Sequence, residues 1–181
     1  MSNRQGAAQE YARAYFMLTE ELSGSDSARE DMLVLRGVLE GERGYLTILD
    51  TPALSTEERL SLIDGAFSTL DAYLVNLIKI LAEKRLSYLL PDVIEAYLAL
   101  YDESRGIVRV EAISAVEMTE DQLSRLTKKL SESTGKTIII SNTIDPSTLG
   151  GVKLRYMGIQ LDGSLKTRLD GLAKNLRVTV V

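Results

Sequence analysis

The chain has 181 residues, of which 45% are hydrophobic, and 26 acidic against 21 basic side chains give it a formal net charge of −5. It contains no cysteine and no histidine, so thiol nucleophiles, Ser-His-Asp triads and zinc sites with the usual ligands cannot be assembled. The acidic balance argues against a nucleic-acid binder, and no apolar run of about 18 residues is present to span a membrane. An enzyme that uses carboxylates or a Ser-Lys pair stays open, although no clustered motif supports it.

The first two-thirds of the sequence shows helical periodicity that is interrupted by cap and turn residues. The predicted helices cover residues 5–22, 27–39, 45–49, 56–66, 69–83 and about 91–103. Ser55 and Glu58 have the spacing of a capping box at the start of the fourth helix. Because the connections are short, the pattern favours an antiparallel six-helix bundle over residues 1–105.

The pattern changes after Gly106, where residues 107–113 are β-branched and partly alternating, as in a half-buried strand. Thr119 then caps a helix that ends near Gly135, and further strands and a leucine-rich helix over 165–176 follow. The sequence therefore predicts a mostly α chain: an N-terminal six-helix bundle followed by a small α+β domain over residues 106–181.

A turn with a glycine pair separates the strands of this second domain. Asp145 can bond the backbone two residues on, and Pro146 fixes φ at the next position of the turn. Gly150 and Gly151 stand where the chain re-enters a strand, which indicates a positive φ or a close backbone approach. A phosphate-binding loop is disfavoured, because no Gly-Lys-Ser/Thr is present and a strand follows where a helix N-terminus is needed.

The first and fifth helices have apolar arcs of about 200°, twice the ~100° stripe that faces a single core. One explanation is that they are simply the two central helices of the bundle. The other is a groove between them that receives an amphipathic helix from a partner, with small residues leaving space for it. The arcs include Tyr11, Ala14, Tyr15 and Leu18 on the first helix and Leu74, Leu77, Ile78 and Leu81 on the fifth.

Several ordered motifs resemble the delta subunit of F-type ATP synthases, the family of the mitochondrial oligomycin-sensitivity-conferring protein. They are Tyr11-Ala12-Arg13-Ala14, the region from Asn76 to Arg85, Ser114-Ala115-Val116 before Thr119, and Asp145-Pro146-Ser147 before Gly150-Gly151. The glycine that is usual near Arg85 is missing, and Met118 replaces the usual leucine. The likeness covers nearly the whole chain.

The resemblance implies a peripheral-stalk subunit without catalytic residues, cofactor, metal or small-molecule substrate, linked to the membrane only through its complex. It implies that residues 1–105 hold the N-terminal helix of an alpha subunit, in a groove between the first and fifth helices. It implies that residues 106–181 contact the C-terminal end of the b-type stalk. The absence of a transit peptide favours the cytoplasmic face of a bacterial inner membrane, although a mature organellar chain would look similar. Gly150 and Gly151 carry over as the family's glycine pair.

The eight arc residues named above are then the candidate groove residues, and which of them face the core stays open. A charge at Leu77 or Ala14 is predicted to weaken binding while the domain still folds. An alternative is a helical adaptor whose groove binds some other amphipathic helix.

Overall fold

A computed structural model of the chain describes residues 3–42, 44–147, 152–156 and 159–161. The chain divides into two compact units between Tyr101 and Asp102. The first unit is helical and the second is built on a β-sheet, so the described part of the chain is mostly helical with a small α+β part. The predicted glycine pair, Gly150-Gly151, and the predicted final helix over 165–176 lie outside the described residues.

Six α-helices precede the first strand, at the places where the periodicity predicts them. They are α1 (Asn3–Glu21), α2 (Ser25–Gly41), α3 (Tyr45–Leu49), α4 (Thr56–Phe67), α5 (Ala72–Glu83) and α6 (Leu90–Ser104). A short 3-10 helix at Ser87–Leu89 leads into α6. The capping box at Ser55 is confirmed, since its hydroxyl and the Glu58 carboxylate each accept the other residue's N–H.

The first residues of two helices differ from the predicted ones because of local hydrogen bonds. α2 begins at Ser25 and not near residue 27, since the Gly24 carbonyl already accepts a helical N–H. α5 begins at Ala72 and not at residue 69. There the Asp71 carboxylate accepts the N–H of Tyr73 at 2.8 Å and caps the helix.

Tyr97 of α6 lies at the centre of the helical core and is fully buried. Its ring centroid lies 5.2 Å from that of Tyr15 and 5.8 Å from that of Phe16, distances at which aromatic pairs attract each other. The Tyr97 hydroxyl shares a hydrogen bond of 2.9 Å with the hydroxyl of Thr19. These contacts fix one flank of α1 against α6.

Arg59 of α4 is a buried charged side chain, with 2% of its surface exposed. Its guanidinium donates to the carbonyl oxygens of Leu49 at 2.5 Å, Thr51 at 3.2 Å and Leu54 at 3.1 Å. A buried cation is stable only when its donors are satisfied, and here backbone carbonyls satisfy them. Arg59 thereby holds the segment between α3 and α4 in place.

The second unit contains a four-stranded sheet and a helix that connects two of its strands. Its elements are β1 (Ile107–Ser114), α7 (Glu120–Thr134), β2 (Thr137–Ile144), β3 (Val152–Tyr156) and β4 (Ile159–Leu161). The strands are ordered β2-β1-β3-β4, with β1 parallel to β2, β3 antiparallel to β1 and β4 antiparallel to β3. A parallel pair needs a crossover connection, which α7 supplies.

One face of this sheet packs against α7. Alternate residues of β1, namely Val108, Val110 and Ala112, are buried in the same cluster as Leu126 and Leu130 of α7. Because successive strand residues point to opposite faces, this burial confirms that the alternation over 107–113 marks a half-buried strand.

α7 begins at a capping box, in which the Thr119 hydroxyl accepts the N–H of Gln122 and the Gln122 side chain accepts the N–H of Thr119. Replacing Thr119 by alanine is expected to destabilise the second unit by about 1 kcal/mol, because a helix N–H loses its acceptor. Urea unfolding followed by circular dichroism measures the change. Ser124→Ala, at an exposed position inside α7, is the control and should change the stability by less than about 0.5 kcal/mol. Equal losses in the two variants would contradict the capping role.

Candidate functional site

From the contacts of Arg4 and the surroundings of Tyr15 we infer that helices α1 and α5 run antiparallel. The Arg4 guanidinium lies 5.5 Å from the ring centre of Tyr88, five residues after the end of α5, and also donates to the Tyr88 carbonyl. Tyr15, in the middle of α1, lies near the other end of α5. Burial and, after it, the negative charge of Asp71 raise the pKa of Tyr15, and Asp71 is the N-cap of α5.

The four candidate residues of α1 differ in how far they are buried. Tyr15 is 4% exposed and belongs to the core, where it packs on Tyr97. Tyr11 and Leu18 are half-buried and Ala14 is exposed. These three stand at positions i, i+3 and i+7, so they share one flank of the helix. That flank differs from the one on which Phe16 contacts α6.

Of the four candidate residues of α5, three face the core and Leu77 stands at its edge. Leu74, Ile78 and Leu81 have no exposed surface and Leu77 is 8% exposed. α5 lies within the core of the helical unit, so most of its wide apolar arc packs against other helices of the same chain. The explanation of α5 as a central helix therefore accounts for these side chains.

Two apolar residues of α5 that were not among the candidates are exposed. Tyr73 is 47% and Ile80 44% exposed. Together with Leu77 they stand at positions i, i+4 and i+7, on a different flank from Lys79, which pairs with Asp64 of α4 at 2.6 Å. The signal for them in the sequence is their place at the edge of the apolar arc.

The surface that α1 and α5 offer to a partner is thus narrower than the predicted groove. We call it the α1–α5 strip and define it by Tyr11, Ala14 and Leu18 on α1 and Tyr73, Leu77 and Ile80 on α5. Exposed and half-buried apolar side chains on two antiparallel helices suit the apolar face of a third helix.

In the second unit, Asp145 forms the turn that the sequence predicts. Its carboxylate accepts hydrogen bonds from the backbone N–H of Ser147 at 2.9 Å and from the Ser147 hydroxyl at 2.7 Å. These bonds hold the pKa of Asp145 below its usual value. Pro146 follows it on the surface, while Gly150 and Gly151 lie outside the described residues.

The described residues contain neither a candidate metal site nor a candidate membrane span. Within them, no group of three or more acidic side chains is placed to hold a metal ion. None of the helices in the described ranges combines the length and the apolar character that a membrane crossing requires.

Comparison with known proteins identifies a single family along nearly the whole chain. The profile of the family described as ATP synthase delta (OSCP) subunit matches residues 7–176. ATP synthase subunit delta of Lactobacillus johnsonii is 31% identical over 175 residues, which cover 96% of each chain. The Clostridioides difficile protein of that name is 33% identical over 172 residues, 93% of this chain and 94% of that protein.

A chain in the solved structure of the Toxoplasma gondii mitochondrial ATP synthase hexamer has the same fold. It aligns with a TM-score of 0.70 at 20% identity and covers 94% of this chain and 97% of that one. The profile match and the two relatives carry the assignment of the family. The chain belongs to the ATP synthase delta (OSCP) subunit family and is a non-catalytic stator subunit of the peripheral stalk of ATP synthase.

Proposed function

We propose that the helical unit binds the catalytic head of ATP synthase by holding the N-terminal helix of an alpha subunit on the α1–α5 strip. In this proposal residues 1–105 act as one six-helix bundle that caps the head. The observation that carries it is the apolar surface of the two helices, above all the exposed side chains of Tyr73 and Ile80 on α5 and half-buried Tyr11 and Leu18 on α1. A helix laid on these residues would cover apolar surface that the unit leaves in water.

Residues 106–181 bind the C-terminal end of the b-type stalk in the same proposal, at the cytoplasmic face of a bacterial inner membrane. Gly150 and Gly151 shape this stalk-binding domain. With the head held at one end of the chain and the stalk at the other, the head cannot turn with the rotor while protons flow. The resemblance of the sequence to the family is what supports this half of the proposal.

The contact with the head has to resist torque, so it should release slowly. Apolar burial contributes about 25 cal/mol per Å² removed from water, before the costs of association are subtracted. Each exposed apolar side chain of the strip therefore matters to the affinity. Polar contacts at the ends of the strip would set how the helix lies.

An NMR titration tests the head-binding site. Isotopically labelled full-length protein is titrated with a synthetic peptide of the alpha-subunit N-terminal helix. We expect saturable shifts of amide signals in α1 and α5, strongest around Tyr11–Leu18 and Tyr73–Ile80. Amides of the sheet unit, such as those of β1, serve as the internal control and should not shift.

The same titration can contradict the proposal. A folded protein whose spectrum does not change at high peptide concentration would exclude the α1–α5 strip as the site. Saturable shifts confined to other helices would place the alpha-subunit contact elsewhere.

A further inference from the structure

One end of the α1–α5 strip is acidic. The carboxylate of Asp31 on α2 accepts the backbone N–H of Asp71 at 2.9 Å, and the Asp71 carboxylate accepts the N–H of Tyr73 at 2.8 Å. These two bonds place both carboxylates at the N-terminal end of α5. On α1, Glu21 follows Leu18 by three residues and is exposed toward this same end, since the two helices are antiparallel.

The negative charge at this end is not neutralised within the helical unit. Neither Asp31 nor Asp71 forms an ion pair with any residue in the described part of the chain, and each keeps a second carboxylate oxygen for another donor. The Tyr15 hydroxyl beside them is buried and has no hydrogen-bond partner among the described residues. The two carboxylates are also among the charges that raise the pKa of Tyr15, after burial. Unpaired anionic groups of this kind attract a positive group from outside.

The other end of the strip is basic. Lys84 follows Ile80 by four residues and so continues the same flank of α5, and Arg85 is next to it. Both side chains are exposed and form no ion pair within the described residues. Arg4 also lies near this end, but its guanidinium is bound by the Asp92 carboxylate at 2.6 Å. Exposed Glu83 precedes them and offsets one charge, so Lys84 and Arg85 give this end a net positive charge.

An α-helix has a charge distribution that matches these two ends. Its N-terminus carries a partial positive charge and its C-terminus a partial negative charge, and each is stabilised by an opposite charge nearby. A helix that lies on the strip with its N-terminus at Asp31 and Asp71 has both ends paired favourably. The reverse orientation would place both ends against like charges.

We infer that the strip binds an amphipathic helix in one direction, with its N-terminus and any basic residue there at Asp31 and Asp71 and its C-terminus at Lys84 and Arg85. The docked helix then runs parallel to α5 and antiparallel to α1. This inference rests on the proposed function, which supplies the helix, and adds its direction and the charge pattern that a binding segment must carry.

Paramagnetic labels on the peptide test the direction. The protein has no cysteine, so a nitroxide can be attached to a cysteine at either end of the alpha-subunit peptide without labelling the full-length chain. A label at the peptide N-terminus is expected to broaden amides near Tyr73 more than those near Lys84, and a label at the C-terminus should do the opposite. Reversed or equal broadening from the two labels would overturn the direction while leaving the site in place. Absence of both broadening and shifts would overturn the proposed site together with the direction.

Charge variants test the physical cause. Asn keeps a side-chain acceptor, so the double variant Asp31→Asn and Asp71→Asn preserves the helix cap and removes only the charge. We expect it to weaken peptide binding roughly threefold to tenfold at low salt, and less at high salt. The matched control, Glu40→Gln with Glu57→Gln, removes two exposed charges away from the strip and should leave the affinity unchanged. An equal loss in both double variants, or none in the first, would overturn the inference.

Discussion

Replacing Arg59 by alanine is expected to destabilise the helical unit by about 3 kcal/mol. The side chain is 2% exposed and donates to three backbone carbonyls, those of Leu49, Thr51 and Leu54. Alanine would leave these carbonyls without their donor and open a cavity where the guanidinium lies. Both effects act in the folded state, because in the unfolded chain water satisfies the same groups.

Urea unfolding of the full chain, followed by circular dichroism, measures this loss. Arg36→Ala is the control in the same unit, since Arg36 is 42% exposed and makes a single bond of 3.3 Å to Glu95. A pair on the surface contributes at most about 1 kcal/mol, so this variant should lose far less stability. If the two variants lost the same stability, Arg59 would not be the residue that holds the segment between α3 and α4.

The elements that could be predicted from the sequence are those with local causes. The capping boxes at Ser55 and Thr119 involve residues three positions apart, so their side chains reveal the helix starts directly. The strand β1 is recognised because its alternation reflects a single buried face. The turn at Asp145 is likewise set by its own carboxylate.

The elements that could not be predicted depend on which segments become neighbours. A helical wheel shows that α5 has a wide apolar arc, but not that Leu74, Ile78 and Leu81 pack within the core while Tyr73 and Ile80 stay exposed. The exposed pair is distinguished from the buried set only by the positions of the surrounding helices. Sequence periodicity therefore singles out α1 and α5 but does not tell which side of α5 stays exposed.

Arg59 and Asp31 were missed for the same reason. Arg59 lies in a helix whose charged residues suit a solvated face, and its acceptors are up to ten residues away in the segment before α4. Asp31 lies on α2, and its acceptor role toward the backbone of Asp71 spans forty residues. Neither side chain belongs to a recognisable sequence motif, since its hydrogen-bonding partner comes from a segment that only the fold brings close.

An aspartate at Ile80 is expected to weaken binding of the alpha-subunit peptide at least about tenfold without unfolding the protein. Ile80 is 44% exposed, so a carboxylate there stays hydrated in the free protein and loses water only when a helix covers it. Ala14→Asp, on the α1 side of the strip, should act in the same direction. Leu77→Asp should instead destabilise the helical unit, because Leu77 is only 8% exposed. This result would differ from the sequence-based expectation that a charge at Leu77 weakens binding while the domain still folds.

Isothermal titration calorimetry of the full chain measures the affinity, and thermal unfolding confirms that each variant is folded. Ile48→Asp is the matched control: Ile48 is 52% exposed on α3, so the substitution is identical in chemistry and similar in exposure but lies off the strip. The control should keep the affinity of the unaltered protein. Both variants change the net charge of the protein equally, so a loss confined to Ile80→Asp places its cause at the contact and not in the net charge. Normal binding by folded Ile80→Asp protein would show that the helix does not cover this residue, and the α1–α5 strip would then be the wrong site.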